Sequence, residues 1–209
     1  MDNSKKDNEC KANEETLGEA DVIGATVNTD EAVSDNKDHS VDYVPEGKYD
    51  AYLYKISKNE TLTEMMKISS HAIVLITAYA LFMRLVTLID TPIEIAKISV
   101  ICGVPFVLVS ILRAVIKAPR PYETYEFYLN PLKKKSAGSF PSRHVFSVFV
   151  IAVSLIPTWT LAGVGLMALG VLLAFFRISL GLHFIRDTVA GALIGVASGV
   201  VGLAVMSFI

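Results

Sequence analysis

The residues best suited to chemistry form three short clusters, each beside a long apolar stretch of the chain. They are Arg113, Lys117 and Arg120 in the first cluster, Ser142, Arg143 and His144 in the second, and Arg177, His183, Arg186 and Asp187 in the third. Charged residues at the ends of apolar helices are costly unless paired, so their default interpretation is functional. Several arginines with two histidines suit a phosphoryl group, because guanidinium forks bind phosphate oxygens and spread the charge that builds during transfer.

The spacing of His183 and Asp187 is a second chemical indication. The two residues are four apart, so on a helix they share a face and the carboxylate can accept the imidazole N–H. Such a carboxylate fixes the tautomer of the ring and stabilises the imidazolium that forms in catalysis. His144 supplies a second imidazole, which can serve as nucleophile or as general acid.

These clusters must be positioned by membrane helices, because the apolar runs have the length that a bilayer requires. The chain has 209 residues, 52% of them hydrophobic, with runs at 69–89, 93–116, 144–156, 161–176 and 188–209. A spanning helix needs about 17–25 residues, and in hydrocarbon the backbone must satisfy its own hydrogen bonds. The sequence therefore predicts an all-α, integral-membrane bundle of about five transmembrane helices. Close helix packing is favoured by Gly191, Gly195, Gly199 and Gly202 in the last run.

Charge divides the chain into a tail and a body. Residues 1–50 carry fourteen acidic and five basic side chains, whereas residues 51–209 carry seven acidic and fourteen basic ones. We interpret 1–50 as a disordered acidic tail, 51–68 as an interfacial lead-in and 69–209 as the membrane domain. No apolar stretch follows the first lysines, so a cleavable signal peptide is not expected. The two cysteines form neither a metal-binding spacing nor a disulfide framework.

Five spans would bring the three clusters to one face of the membrane, together with the tail. That face also carries Lys117, Arg186 and the basic run at 133–135. The positive-inside rule then places the active face in the cytoplasm of a multi-pass cell-membrane protein. The basic run favours attraction to anionic lipid headgroups. Its alternative is contact with a second phosphate of a diphosphate substrate.

The same clusters carry a family resemblance. The motifs Arg113-x6-Arg120-Pro121, Pro141-Ser142-Arg143-His144 and Arg177-x5-His183-x3-Asp187 resemble the three signatures of the type 2 phosphatidic acid phosphatase and vanadium haloperoxidase superfamily. The match covers about residues 112–187 and the flanking helices. The resemblance implies that His183 forms a phosphohistidine, that Asp187 orients it, and that His144 protonates the leaving oxygen. It implies phosphate contacts for Arg113, Arg120, Ser142, Arg143 and Arg177, with Lys117 as an accessory, and no metal or other cofactor.

Three positions depart from the family pattern. Arg113 stands where lysine is usual, which keeps the charge and changes the donor geometry. Arg143 stands where glycine is usual, and its N–H can still serve unless the site requires dihedral angles open only to glycine. Phe176 replaces a serine, at a position that we expect to tolerate exchange. None of the three removes a catalytic group.

We therefore predict a membrane phosphohydrolase that acts on a lipid phosphate or an isoprenoid diphosphate. Candidate substrates by resemblance are phosphatidic acid, phosphatidylglycerol phosphate and undecaprenyl diphosphate; membrane lipids are the other expected partners, and nucleic acid is not one. The alternative is a membrane protein that binds or moves anionic lipids without hydrolysing them. A haloperoxidase would share the motifs, but those enzymes are soluble. Taken singly, His144 could be a structural helix-end residue, and His183 with Asp187 a structural pair. The sequence carries no indication of the oligomeric state.

Overall fold

The computed structural model describes residues 45–124 and 138–208, which belong to the compact unit Ser40–Ile209. Of the predicted disordered tail (1–50), residues 1–44 lie outside the described residues, as does the basic run at 133–135. Within the described part, all regular structure is helical, which confirms the predicted all-α class. The helices are α1 (Lys48–Ser57), α2 (Glu60–Thr87), α3 (Pro92–Ile116), α4 (Pro121–Thr124), α5 (Arg143–Leu155), α6 (Thr160–Ser179) and α7 (Ile185–Met206).

Four of these helices, α2, α3, α6 and α7, are long and apolar enough to cross a membrane. They correspond to the first, second, fourth and fifth apolar runs of the sequence. Each also exposes large apolar side chains on its outer surface, among them Leu75, Val115, Leu161 and Leu193. An apolar exterior is what hydrocarbon surroundings require, because lipid tails cannot hydrate a polar one.

Helix α5 corresponds to the short third run and occupies a different place. Its 13 residues extend for about 20 Å, which is less than the roughly 30 Å of a hydrocarbon core. It packs against α2, α3, α6 and α7, and ten of its residues between Val145 and Leu155 are buried. Because protein surrounds it instead of lipid, α5 need not reach both membrane faces.

Small residues bring the neighbouring helices close to α5. A Cβ added at Gly191 would lie 2.7 Å from the carbonyl oxygen of Ser142, and one at Gly195 would lie 2.7 Å from that of Phe146. Further along, a Cβ at Gly199 would lie 2.7 Å from a side-chain carbon of Val153. The order of these contacts makes α5 and α7 parallel, with their N-termini at one face. The glycines of the last run thus take part in close helix packing, as predicted, and the structure shows that the first three face α5 while Gly202 faces Ile101 of α3.

Helix α6 runs antiparallel to α5. A Cβ at Gly163, near its start, would meet Ile156 at the end of α5, and one at Gly170 would meet Phe149 in its middle. The end of α6 therefore lies at the same face as the starts of α5 and α7. Helix α3 also ends there, because Ser139, just before α5, donates its N–H to the carbonyl oxygen of Ala118, just after α3 (2.7 Å). The structure thus confirms the predicted meeting of four helix ends.

Candidate active site

Backbone hydrogen bonds join the segments that carry the predicted site residues. Ser142, which precedes α5, donates its N–H to the carbonyl oxygen of Asp187 in the first turn of α7 (3.0 Å). In the loop between α6 and α7, Leu182 and His183 both donate their N–H groups to the carbonyl oxygen of Arg177 (3.1 and 3.3 Å). Gly181 turns this loop with a φ of 62°, a left-handed conformation that glycine adopts without strain. These bonds fix the second and third clusters to each other.

His183 and Asp187 lie close together, as expected, but they do not share a helix face: His183 lies in the loop, and α7 begins only at Ile185. Both side chains are buried, and His183 Nδ1 lies 3.8 Å from Asp187 Oδ2. That separation fits a charge–dipole contact and exceeds a hydrogen-bond distance. Asp187 Oδ2 also accepts the N–H of Phe184 (3.0 Å), which holds the carboxylate at the start of α7. With Nδ1 directed at the carboxylate, the Nε2 side of the ring is left for another partner.

The environment of His183 favours its neutral form. Burial lowers the pKa of His183, the nearby Asp187 carboxylate opposes that shift, and the charges of Arg113 and Arg120 add to the lowering. Desolvation and like charges both penalise the imidazolium, so the net effect is a pKa below the ordinary histidine value. A neutral imidazole keeps the lone pair that a nucleophile requires.

Arginines surround the two histidines. Arg113 and Arg177 are buried, and Arg120 and Arg143 are half-buried. Arg120 lies within electrostatic reach of both His183 and Arg177. Half-buried His144 lies within reach of four of these groups: Arg113, Arg143, Arg177 and His183. Four guanidinium groups around one carboxylate leave a strong positive potential, which attracts an anion.

Two of the buried donors have no hydrogen-bond partner among the described residues. They are the hydroxyl of Ser142, which is fully buried, and Nε of Arg177, whose side chain is 9% exposed. Leaving such groups unpaired costs about 1–3 kcal/mol each, and more for a charged group. A bound oxyanion would satisfy both. The arrangement can therefore hold a phosphoryl group beside a neutral imidazole.

The remaining predicted residues take clear positions. Lys117 ends α3 in a left-handed conformation (φ 44°) with an exposed side chain, at the same face as the site. Among described non-glycine residues it alone has a positive φ, so Arg143 occupies ordinary helical backbone and needs no glycine-only angles. Phe176 is half-buried and packs in an apolar cluster with Leu180.

The sequence did not predict the contacts by which Gly138 and Ser139 hold the start of α5 against the end of α3. The fully buried Ser139 donates its hydroxyl to the carbonyl oxygen of Pro119 (2.8 Å) and also lies beside Asp187. At Gly138, a Cβ would lie 2.7 Å from the Cα of Lys117, so the chain passes the end of α3 at backbone contact. The only indication in the sequence that Gly138 and Ser139 belong to the site was their position just before the motif that begins at Pro141. Within 45–124 and 138–208, no three His, Cys, Asp or Glu side chains are grouped to hold a metal ion.

An apolar groove begins at the site. One cavity of about 280 Å³ is lined by His144 and by residues of α2 and α5, and a second of about 330 Å³ extends it between α2, α3 and α5. The two cavities share four lining residues, namely Leu81, Leu85, Ser147 and Ile151. Gly103 and Phe106 of α3 lie on the second cavity. An apolar groove that ends at a charged site suits a molecule with an apolar tail and an anionic head.

Comparisons with known proteins identify the family and the fold. Residues 94–208 match the family described as the PAP2 superfamily. The chain is similar to Aquifex aeolicus LpxE, with a TM-score of 0.56, 26% identity, and coverage of 74% of this chain and 93% of that one. It also shares the fold of the transmembrane PAP2-type phosphatidylglycerolphosphate phosphatase of Bacillus subtilis, with a TM-score of 0.53, 23% identity, and coverage of 77% and 87%. No curated protein matches the chain.

Proposed function

Because the chain belongs to the PAP2 superfamily and is a multi-pass membrane protein with a membrane-phosphatase fold, we propose that it hydrolyses lipid phosphates through a phosphohistidine at His183. The observation that carries the proposal is the pair of buried, unpartnered donors, Ser142 Oγ and Arg177 Nε, beside the buried His183. Donors that are already fixed in a buried site stabilise transferring charge without reorganising.

The proposed reaction has two steps. His183 Nε2 attacks phosphorus in line, and the bond between phosphorus and the lipid oxygen breaks as the N–P bond forms. His144, which the anionic phosphoryl group bound beside it would hold in the protonated form, donates a proton to that departing oxygen, so the lipid leaves as an alcohol or, from a diphosphate, as a monophosphate. His144, now neutral, takes a proton from water as the water attacks phosphorus, which releases phosphate and restores His183.

Asp187 and the arginines have separate roles in this scheme. Asp187 lies 3.8 Å from His183 Nδ1 and would close to a hydrogen bond as positive charge develops on the ring. Catalytic hydrogen bonds are often long before substrate binds. Arg113, Arg120, Arg143 and Arg177, with Ser142, would bind the phosphoryl oxygens and stabilise the charge that they carry.

The groove between α2, α3 and α5 supports a lipid as the substrate. It starts at His144, the proposed donor of the leaving-group proton, so the tail attached to the leaving oxygen would enter it directly. Phosphatidylglycerol phosphate is named for the Bacillus subtilis structure, and it joins phosphatidic acid and undecaprenyl diphosphate as a candidate.

The test is phosphate release from these three lipids by the purified protein in detergent, with His183→Ala and His71→Ala compared. His71 is an exposed histidine on α2 and serves as the matched control. We expect His183→Ala to lower the rate by at least about 10³-fold and His71→Ala to leave it unchanged. Acid-labile, base-stable labelling of the wild type by [³²P]lipid would identify the phosphohistidine. Full activity of His183→Ala would disprove the mechanism, and absence of phosphate release from every lipid would favour the non-catalytic lipid-binding alternative.

We also propose that the active face is cytoplasmic, on the distribution of lysine and arginine. The structure offers a matched pair of exposed positions for the test: Lys117 at the active face and Asp90, between α2 and α3, at the opposite one. With Cys10 and Cys102 replaced by serine, an impermeant maleimide applied to intact cells should label Asp90→Cys and not Lys117→Cys. The reverse pattern would place the site outside the cytoplasm.

A further inference from the structure

Helix α1 lies outside the spans, yet it contacts the loop that carries His183. The hydroxyl of Tyr52 is 2.9 Å from that of Ser179, the last residue of α6, which is 1% exposed. One turn further along α1, Ile56 packs in a buried cluster with Leu180 of the loop and with Met66 at the start of α2.

A third contact reaches the residue after His183. The ring of Tyr49 lies 6.3 Å, centroid to centroid, from the ring of Phe184, the residue that precedes α7. The contacts of α1 thus fall just before the loop, at its first residue and at its last residue, on Ser179, Leu180 and Phe184. Centroid distances of 4.5–7 Å are typical of interacting aromatic pairs.

The fold of α1 depends on this docking. A free helix of 10 residues is marginal in water, because helix nucleation is costly. The start of α1 is nevertheless well formed: the buried carboxylate of Asp50 accepts the N–H groups of Glu46 (2.7 Å) and Gly47 (2.8 Å). Buried Leu53 and Ile56 supply the remaining packing. Contacts that stabilise α1 on the loop must stabilise the loop against α1 by the same amount, because the coupling is reciprocal.

The loop itself needs external support. Between the end of α6 and the start of α7 it spans five residues and turns at Gly181, which imposes few backbone limits of its own. Local hydrogen bonds of 2.9–3.1 Å hold Gly181, Leu182 and Phe184, but the contacts of His183 itself are longer. Its N–H bonds to the Arg177 carbonyl at 3.3 Å, and its Nδ1 is 3.8 Å from Asp187. A nucleophile displaced by about 1 Å can lose about 10²-fold in rate.

We propose that α1 positions the nucleophile, with Tyr52 as the positioning residue that fixes the α6–α7 loop through Ser179. The inference rests on the proposed function, because it assigns α1 a part in the reaction of His183. Tyr52 touches no reacting atom in this scheme. It sets the distance and angle at which His183 meets the phosphoryl group.

The experiment compares Tyr52→Phe with the matched control Tyr79→Phe, a 62% exposed tyrosine on α2. Three quantities are measured on the full-length protein in detergent: the single-turnover rate of phosphohistidine formation, the inhibition constant of inorganic phosphate, and the melting temperature. Tyr52→Phe removes one hydroxyl and leaves Ser179 without this partner. We expect it to slow phosphorylation by about tenfold. Phosphate affinity and melting temperature should stay unchanged, because the arginines and the spans are untouched. Tyr79→Phe should match the wild type in all three.

A double-mutant cycle with Ser179→Ala tests the contact itself. If the Tyr52–Ser179 bond carries the effect, the double variant should be no slower than either single one. Additive effects would overturn the inference, as would a Tyr52→Phe rate equal to that of the wild type. A loss of rate accompanied by a fall in melting temperature would show that Tyr52 has only a structural role, and would overturn the inference as well. Absence of phosphohistidine in the wild type would overturn both this inference and the proposed function, and the wild-type sample alone identifies that case.

Discussion

The two sides of the bundle are packed in opposite ways. On one side, α7 touches α5 at backbone distance, and a Cβ at Gly191, Gly195 or Gly199 would lie 2.7 Å from an atom of α5. On the other side, α2 and α3 pack against α5 and leave an apolar groove between them. A Cβ at Gly103, on that groove, would meet no described atom within 4 Å.

The difference separates two requirements of the proposed reaction. The tight side carries Ser142, just before α5, and Asp187 of α7. A 3.0 Å backbone hydrogen bond joins them, so the catalytic residues lie where the helices pack most closely. The open side begins at His144 and offers a volume lined mostly by apolar side chains, which suits a tail that varies in length. Rigidity for chemistry and space for the lipid are thus placed on opposite faces of one short helix.

The largest expected effect comes from filling the tight side. Gly195→Leu would force α5 and α7 apart, because its Cβ alone would lie 2.7 Å from the Phe146 carbonyl oxygen. We expect loss of nearly all activity toward every substrate and destabilisation by about 1–3 kcal/mol or more. Activity and the melting temperature in detergent are the measurements, with Gly165→Leu, at an open position on α6, as the control. A fully active Gly195→Leu variant would show that close packing is not needed.

The second effect tests catalysis on that side without disturbing its packing. Asp187→Asn keeps the shape of the side chain and removes the charge that steadies the His183 ring. We expect kcat to fall by about 10²–10⁴-fold while the melting temperature changes little. Asp90→Asn, at an exposed carboxylate, is the control. An Asp187→Asn enzyme within a few-fold of the wild type would assign Asp187 a purely structural part as the N-terminal cap of α7.

The third effect belongs to the open side and should depend on the substrate. Gly103 lies ten residues before Arg113 on α3, about 15 Å deeper along the helix axis. Gly103→Phe should obstruct long tails and so misplace their phosphates, lowering kcat/KM for dipalmitoyl phosphatidic acid by about tenfold. The dioctanoyl lipid should react as before. Gly165→Phe is the control, and equal effects on both lipids would remove the groove from the binding site.

The smallest effect is a change in pH dependence. Because burial lowers the pKa of His183, we expect the acid limb of the kcat/KM profile to lie below the ordinary histidine value. The Asp187 carboxylate raises the pKa of His183, so Asp187→Asn should move that limb to lower pH. Comparing the two profiles with one substrate cancels the ionisation of the lipid phosphate. A limb that moves upward, or does not move, would contradict the assigned electrostatics.

Much of the fold followed from the sequence because bilayer physics leaves few choices. The runs at 93–116 and 161–176 became α3 and α6 with ends close to those predicted, and the glycines of the last run take part in close helix packing, as predicted. The boundaries of the short third run were predicted correctly, but the sequence did not show how a helix too short to span the bilayer could be accommodated. Its burial by four other helices is a property of the assembled bundle.

The candidate site, too, was only partly predictable from the sequence. The closeness of His183 and Asp187 could be expected because they are near in sequence, but the shared helix face was wrong, since α7 begins after His183. The pairing of Tyr52 with Ser179 joins residues 127 positions apart and has no sequence signature. Ser139 was missed for a similar reason, since its hydroxyl serves a carbonyl twenty residues away.

The sequence by itself determined that this protein is a helical membrane bundle, and that its arginines and histidines meet at one face. Both follow from rules with a short range, namely the length of an apolar run, the period of a helix and the order of the helix ends. Only the tertiary structure decided which side of α5 is closed and which is open, and that α1 rests on the loop of His183. Those features depend on side-chain shapes brought together across the chain, and periodicity along the sequence does not encode them.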